Sequence, residues 1–144
     1  MTTPYRHTQV GYVTLVATTA GALGLASITV RHHHPVLWLG VALLVLLGFL
    51  FSTLTIEVAD GELRSHFGPG FWRKRWALAD IVGVGLAPIR SWEGWGIRFT
   101  PQGMLYDVSG TKSVEVHLRS GTSFRLGSDE PERLLAAIRA GGVP

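Results

Sequence analysis

The sequence predicts an α+β protein in which a two-helix transmembrane hairpin precedes an antiparallel β-barrel of seven or eight strands with a C-terminal capping helix. Apolar residues make up 47% of the 144 residues and charged residues only 16%, whereas a soluble domain carries about a quarter. The shortage is local, because Arg31 is the only Lys, Arg, Asp or Glu between Gln9 and Glu57. From Thr55 onward, apolar and polar residues alternate with the period of two that indicates strands.

The apolar stretch consists of two runs that are long enough to be membrane spans. At about 1.5 Å per residue, the first run covers about 31 Å, close to the thickness of a hydrocarbon core. Backbone polar groups have no water partners in lipid, so both runs are expected to be helical. The predicted parts are an N-terminal tail (1–9), a hairpin (10–54, with spans 10–30 and 36–54 and a turn at 31–35) and a polar domain (55–144).

The first run is rich in small residues, and Ala17/Gly21 and Ala20/Gly24 have the small-xxx-small spacing that lets transmembrane helices approach closely. We expect this face to pack on the second helix, and homodimerisation through it is the alternative. A cleaved signal peptide ending near Ala26 is also considered. It is disfavoured because the apolar run continues past that point and a second run follows.

A hairpin places both chain ends on one side of the membrane. That side carries Arg6, the N-terminal amine and the basic residues after Leu54, whereas the turn carries Arg31. The positive-inside rule therefore predicts a multi-pass protein of the cell membrane, N-in and C-in, with the polar domain in the cytoplasm.

The turn contains three consecutive histidines, His32, His33 and His34, followed by Pro35. Such a turn could chelate a metal weakly or respond to pH, since imidazole titrates near neutrality. We expect a plain connection instead, in which Pro35 opens the second helix, where its missing N–H costs nothing. There is no cysteine, and neither a HExxH nor a Walker motif occurs. No catalytic residue, metal site or cofactor is predicted, and the protein is not expected to be an enzyme.

In the polar domain, Asp60-Gly61 and residues 68–70 are turn signals between alternating strands. At the other end, Pro131 lies in the first turn of a predicted helix, and Gly141 ends it. An apolar stripe at helical spacing lies between them; its members are Leu134, Leu135 and Ile138.

Several segments of the polar domain, taken in their order along the chain, resemble a known protein family. The segments are Leu78-Ala-Asp-Ile81 with Val84, Gly94-Trp-Gly-Ile-Arg98, Tyr106-Asp-Val-Ser-Gly110, the hairpin 114–126, and Gly127-Ser-Asp-Glu-Pro-Glu132 leading into the helix. Over residues 54–140 the chain resembles a bacterial pleckstrin-homology (PH)-like domain, the kind attached to transmembrane segments in small membrane proteins. The resemblance implies a PH-like barrel with a binding or scaffolding role. Phosphoinositide-binding PH domains use Lys and Arg on the first hairpin, but here its tip carries Asp60 and Glu62, so inositol-phosphate binding is not expected.

The segment FWRKRW places three cations between two tryptophans. On a strand, Trp72, Lys74 and Trp76 would face one way and Arg73 and Arg75 the other. Trp prefers the headgroup region, and each cation near an anionic surface contributes about 1 kcal/mol. The segment is therefore a candidate contact for a lipid surface or a partner. The alternative is a half-buried strand with packed tryptophans and solvated cations.

Trp92, close to Arg90, is a further candidate for a partner surface, while Gly94 and Gly96 are expected to allow a bulge rather than to cradle a phosphate. A net charge of +3 is too small to indicate nucleic acid.

The leading hypothesis is a non-enzymatic integral membrane protein that presents a cytoplasmic PH-like scaffold module to a protein partner, by strand addition at an open edge. The alternative is a module that senses the membrane surface, through anionic lipid headgroups, or envelope stress. A third hypothesis is a metal-linked membrane enzyme or transporter component that uses the histidines.

Overall fold

The computed structural model describes residues 4–90, 96–108 and 111–144. Over these residues the chain is α+β, with three α-helices and two separate β-sheets. The elements are β1 (Tyr5–Val10), α1 (Tyr12–His32), α2 (Leu37–Leu50), β2 (Thr53–Ala59), β3 (Glu62–Phe67), β4 (Phe71–Ala77), a 3₁₀ turn (Leu78–Asp80), β5 (Ile81–Pro88), β6 (Gly96–Thr100), β7 (Gly103–Asp107), β8 (Lys112–Leu118), β9 (Ser123–Gly127) and α3 (Pro131–Ala140).

The two apolar runs form an antiparallel helical hairpin. Among the described residues, α1 is the one helix that is long and apolar enough to cross a membrane. Helix α2 has only 14 residues, so a second span over residues 36–54 is not supported at that length. The run ends early because Phe51 closes the helix by donating its backbone N–H to Leu47, and Thr53 already belongs to β2.

The hairpin packs closely where glycines of α2 meet side chains of α1. A Cβ added to Gly48 would lie 2.6 Å from the Thr18 hydroxyl, and one added to Gly40 would lie 2.8 Å from the Leu25 side chain. On α1, Gly21 faces Leu44, but Gly24 has nothing within 4 Å. Only part of the predicted small-residue face of α1 therefore lies in the helix contact. The closest contacts are made by glycines of α2 instead.

The first sheet has the order β1-β2-β3-β4 and is antiparallel. Residues 5–10 form β1, although the sequence placed residues 5–9 in an N-terminal tail and Val10 in the first span. The strand pairs with β2 from Tyr5 opposite Val58 to Val10 opposite Thr53. The strand was not predicted because its inward positions include polar residues, among them Gln9, which is buried.

The second sheet has the order β5-β8-β9-β7-β6. Strand β9 inserts between β8 and β7 and runs parallel to β7, with Met104 opposite Phe124, so an entirely antiparallel fold is not what forms. The two sheets are open, and a closed barrel of seven or eight strands is not confirmed. Eight strands, β2 to β9, follow the hairpin in the described residues, where seven or eight were predicted. Their order was not predictable from the turn signals, because a turn indicates only that two strands adjacent in sequence are paired.

The core lies between the inner faces of the two sheets and is closed by α3. The predicted stripe of α3 is confirmed for Leu134 and Ile138, which are fully buried, while Leu135 packs at the margin of the core. Helix α3 packs on β5 and β8. The largest buried side chains from the sheets are Leu54, Leu63, Phe67, Leu105, Val114, Val116 and Leu126.

Candidate functional site

The predicted contact segment forms β4, an edge strand of the first sheet. Lys74 lies opposite Ser65, and Trp76 lies opposite Leu63. The register then shifts between Ser65 and Phe67, so the strand contains a bulge, and Trp72 adopts φ +51°. A left-handed conformation is unusual for a bulky residue, and bulges redirect side chains at sheet edges.

The two tryptophans of β4 have different environments. Trp76 stacks on Phe124, with ring centroids 4.0 Å apart and planes at 16°, and packs against the core. Trp72 is 46% exposed. Burial raises the pKa of the Tyr106 hydroxyl, and a hydrogen bond with the Trp72 side chain partly offsets this. Trp72 is therefore much more open to the surroundings than Trp76.

The cations of β4 are exposed along the strand. Arg73 donates from Nε to the carbonyl oxygen of Gly70 at 3.1 Å, and the Lys74 ammonium lies 5.8 Å from the Trp72 ring centroid, a cation–π distance. Arg75 lies opposite Arg64. Within the described part of the chain, none of the three β4 cations forms an ion pair with a carboxylate.

The start of β4 lies against the end of the helical hairpin. Phe71 meets Phe51, the residue after α2, with ring centroids 5.3 Å apart in an edge-on arrangement. In the turn before β4, Gly68 donates its N–H to the Thr53 carbonyl oxygen at 2.9 Å. Its φ is +50°, and a Cβ there would lie 2.7 Å from the Leu50 carbonyl oxygen. Glycine is required at this contact because any side chain would push the turn off the helix.

On the other side of the hairpin, the chain passes from β1 into α1 through Gly11 alone. Gly11 donates to the Ser52 carbonyl oxygen at 2.7 Å, and a Cβ added to it would lie 2.9 Å from the Cβ of Val108. Thr14 donates to the Val108 carbonyl oxygen at 3.3 Å. Both sheets therefore contact the base of the hairpin directly, without a linker.

Among the edge strands, β5 differs in composition. Its sequence, IVGVGLAP, contains no charged residue, and Val82 and Leu86 are about half exposed. Arg139 of α3 reaches the carbonyl oxygen of Val84 at 3.5 Å. A cavity of about 220 Å³ lies where β5 meets the start of α3. It is lined by Leu86, Ala87, Pro88, Lys112, Ser113, Pro131 and Glu132.

A second cavity, of about 230 Å³, lies on the outer face of the second sheet and is lined in part by Arg90, Glu115 and Arg125. The buried Arg125 donates to the carbonyl oxygen of Pro88 at 3.1 Å and to the Thr100 hydroxyl at 3.2 Å. These bonds connect the ends of β5 and β6 to β9, so the role of Arg125 is structural.

One polar cluster was not anticipated from the sequence because it joins residues more than 120 positions apart. The Tyr5 hydroxyl donates to Glu130 at 2.8 Å, and His7 Nε2 lies 2.6 Å from Asp129. Burial and the Glu130 carboxylate raise the pKa of Tyr5. Burial alone would raise the pKa of Glu130, but hydrogen bonds from Tyr5 and Arg133 bring it below its ordinary value. The cluster fixes β1 to the start of α3.

A contact between a serine and a histidine on the second sheet was also missed. His117 Nδ1 lies 2.8 Å from the Ser123 hydroxyl, and its Nε2 lies 3.8 Å from Glu115. The second distance is too long for the hydrogen bond that orients a histidine beside a nucleophile. The pair is a cross-strand contact, since His117 and Ser123 are register partners.

The remaining predicted residues lie elsewhere. Trp92 falls outside the described residues. His32 belongs to the last turn of α1, and its ring centroid lies 6.4 Å from that of His34. In the described ranges, no three or more His, Cys, Asp or Glu side chains are grouped to hold a metal ion.

Comparisons with protein-family models, with curated proteins and with solved structures gave no match for this chain. The PH-like resemblance and the function therefore rest on the residues and geometry described above.

Proposed function

We propose that this chain is a non-enzymatic integral membrane protein whose hairpin crosses the membrane twice and presents a PH-like module in the cytoplasm to a protein partner. The observation that carries the two-span topology is the pairing of β1 with β2 across the hairpin. Paired strands must lie on the same side of a membrane. Helices α1 and α2 therefore both cross or neither crosses, and α1 has the length and hydropathy of a span.

The shorter α2 can complete the return crossing at a modest cost. Its 14 residues span about 21 Å, and a short span is accommodated by local thinning of the bilayer. Trp38, about half exposed in the first turn of α2, is of a residue type that anchors helix ends at the interface. Cleavage after Ala26 is disfavoured by the same pairing, because it would remove the strand that covers β2.

The PH-like assignment is supported by two packed sheets with an amphipathic helix at the C-terminal end. It implies a binding role. The cytoplasmic orientation is supported by Arg6 and the β4 cations on the domain side, against Arg31 at the far end of α1.

The partner surface that we propose is the free edge of β5. Natural proteins protect sheet edges with charges, and an uncharged, exposed apolar edge invites pairing with another chain. The other edge strands carry charges: Arg6 on β1, three cations on β4 and Arg98 on β6. The expected occupant is an extended segment of a partner protein that adds a strand beside β5 and places an apolar side chain in the cavity at Leu86.

The topology is tested by cysteine labelling, which the absence of native cysteine makes clean. Asp60→Cys lies at an exposed hairpin tip of the domain, and His33→Cys lies in the turn between the helices. In intact cells, a membrane-impermeant maleimide should label only His33→Cys, and after lysis it should label both. Labelling of both or of neither in intact cells contradicts the two-span, cytoplasmic topology.

The partner edge is tested by photo-crosslinking in intact membranes from a probe at Lys112, beside the cavity. A discrete adduct is expected that is lost when Val82 and Leu86 are both changed to Lys. Phe99→Lys, the same kind of change at an 85% exposed position on the β6 edge, should keep the adduct. An adduct that persists in the β5 variant contradicts this proposal.

A further inference from the structure

We propose that the start of β4 is a lipid contact: Phe71, Trp72 and Arg73, together called the aromatic rim, lie in the headgroup layer of an anionic leaflet. The inference rests on the membrane insertion of the hairpin proposed above. It assigns to the lipid only the first half of the segment that the sequence singled out.

The position of the rim follows from its contact with α2. Phe51 directly follows α2 and so marks the level at which the chain leaves the hydrocarbon. Phe71 packs edge-on against Phe51, and Trp72 packs next to Phe71, with ring centroids 6.2 Å apart. Because both sheets contact the base of the hairpin without a linker, the rim cannot move away from the bilayer surface once the helices are inserted.

The exposure of the rim fits this position. Phe71 is 37% and Trp72 is 46% exposed. Trp is suited to the membrane interface, because its large ring is apolar and its N–H is polar. Trp72 fits this description, because its ring is 46% exposed and packs on one side against Phe71.

The charge around the rim favours an anionic leaflet. Arg73 and Lys74 lie within one or two residues of Trp72, and in the described ranges no carboxylate pairs with either. Cations at this level attract anionic headgroups. A protein partner at the same place would first have to displace lipid, so the bilayer is the occupant that the geometry favours.

The second half of β4 leaves the surface. At about 3.3 Å per residue, Trp76 lies about 13 Å along the strand from Trp72, and its ring is stacked on Phe124 in the core. The two tryptophans therefore form a matched pair, one predicted to touch lipid and one not.

The test measures tryptophan fluorescence of the full chain in nanodiscs that contain lipids brominated near the headgroup. The chain has five tryptophans, so the contribution of each is read from the fall in quenching on Trp→Phe substitution. We expect Trp72→Phe to remove a substantial share of the quenching and Trp76→Phe to remove almost none. Equal effects of the two substitutions overturn the inference.

Trp38→Phe separates this inference from the proposed topology. If the hairpin is inserted, Trp38→Phe lowers quenching whether or not the rim touches lipid. If quenching depends on Trp38 but not on Trp72, the lipid contact of the aromatic rim is refuted while the membrane insertion stands. If quenching depends on neither residue, the membrane insertion is refuted as well.

The preference for anionic lipid is tested with Arg73→Glu and, as the matched control on the same strand, Arg75→Glu. In nanodiscs with phosphatidylglycerol, Arg73→Glu should reduce the share of quenching due to Trp72, and Arg75→Glu should leave it unchanged. In nanodiscs of phosphatidylcholine alone, neither change should matter. A loss of the same size from both variants overturns the anionic part.

Discussion

Replacement of Gly68 by Ala should separate the first sheet from the helical hairpin. Gly68 combines φ +50° with a contact in which an added Cβ would lie 2.7 Å from the carbonyl oxygen of Leu50 and 3.1 Å from that of Phe49. Both obstacles are backbone atoms at the end of α2, so no side-chain rotation can relieve them. Gly61 is a matched control, because its φ is +73° and nothing lies within 4 Å of the added Cβ.

The difference between the two substitutions isolates the contact with the helix. A left-handed conformation costs an L-residue about 1–2 kcal/mol, and this cost lowers the stability of both variants. Overpacking against fixed backbone costs a further 1–3 kcal/mol, roughly, and only Gly68→Ala bears it. The free energy of unfolding should therefore fall by about 1–2 kcal/mol for Gly61→Ala and by about 2–5 kcal/mol for Gly68→Ala.

The assay is urea unfolding of the full chain in detergent micelles, followed by far-ultraviolet circular dichroism. Hydrogen exchange gives a second readout: the amides of β2 and β3 near the turn should lose protection in Gly68→Ala, while those of α3 keep theirs. Equal losses of stability in the two variants would refute the close contact between turn and helix.

Three further experiments have expected outcomes. Trp76→Ala should lower the free energy of unfolding by about 3 kcal/mol because a core ring is lost, while Trp72→Ala should cost below about 1 kcal/mol in detergent; similar losses in urea unfolding would contradict the assigned environments. Gly48→Leu should separate the helices and lower the thermal midpoint of the hairpin in micelles, whereas Gly24→Leu, which points into open space, should not. The pKa of Glu130 is lowered from its ordinary value of 4.5, so it stabilises the fold above that pH and its contribution is lost as pH falls through the lowered value. Thermal melts of Glu130→Gln between pH 7 and pH 3 should therefore show a weaker acid dependence than those of the wild type, and parallel curves would contradict the role of this carboxylate.

Much of the local structure follows from the sequence because short-range physics decides it. Asp60 and Gly61 both have positive φ, as the two-residue hairpin turn predicted for this pair requires. The stripe of Leu134 and Ile138 fixes the buried face of α3, since residues four apart share one side of a helix. The apolar runs likewise dictate two helices without any tertiary information.

The sequence was enough to locate the candidate site, but it could not show that Trp72 and Trp76 have different environments. The alternation in FWRKRW gives Trp72 and Trp76 the same face, and the same composition around each. Only the packing of the second sheet covers Trp76 with Phe124 and leaves Trp72 at the end of α2. The sequence also did not predict that β5 is an edge strand. Its apolar composition is typical of a core strand, and only the sheet order shows that it is outermost.

By itself the sequence determined the two apolar helices, the strands that follow them and the terminal helix, because period, turn residues and hydropathy act over a few neighbouring residues. The tertiary structure alone decided the pairing of β1 with β2, the insertion of β9 beside β7 and the open sheets. These arrangements join residues distant along the chain. Their free energy comes from burying one surface against another, which no local pattern records.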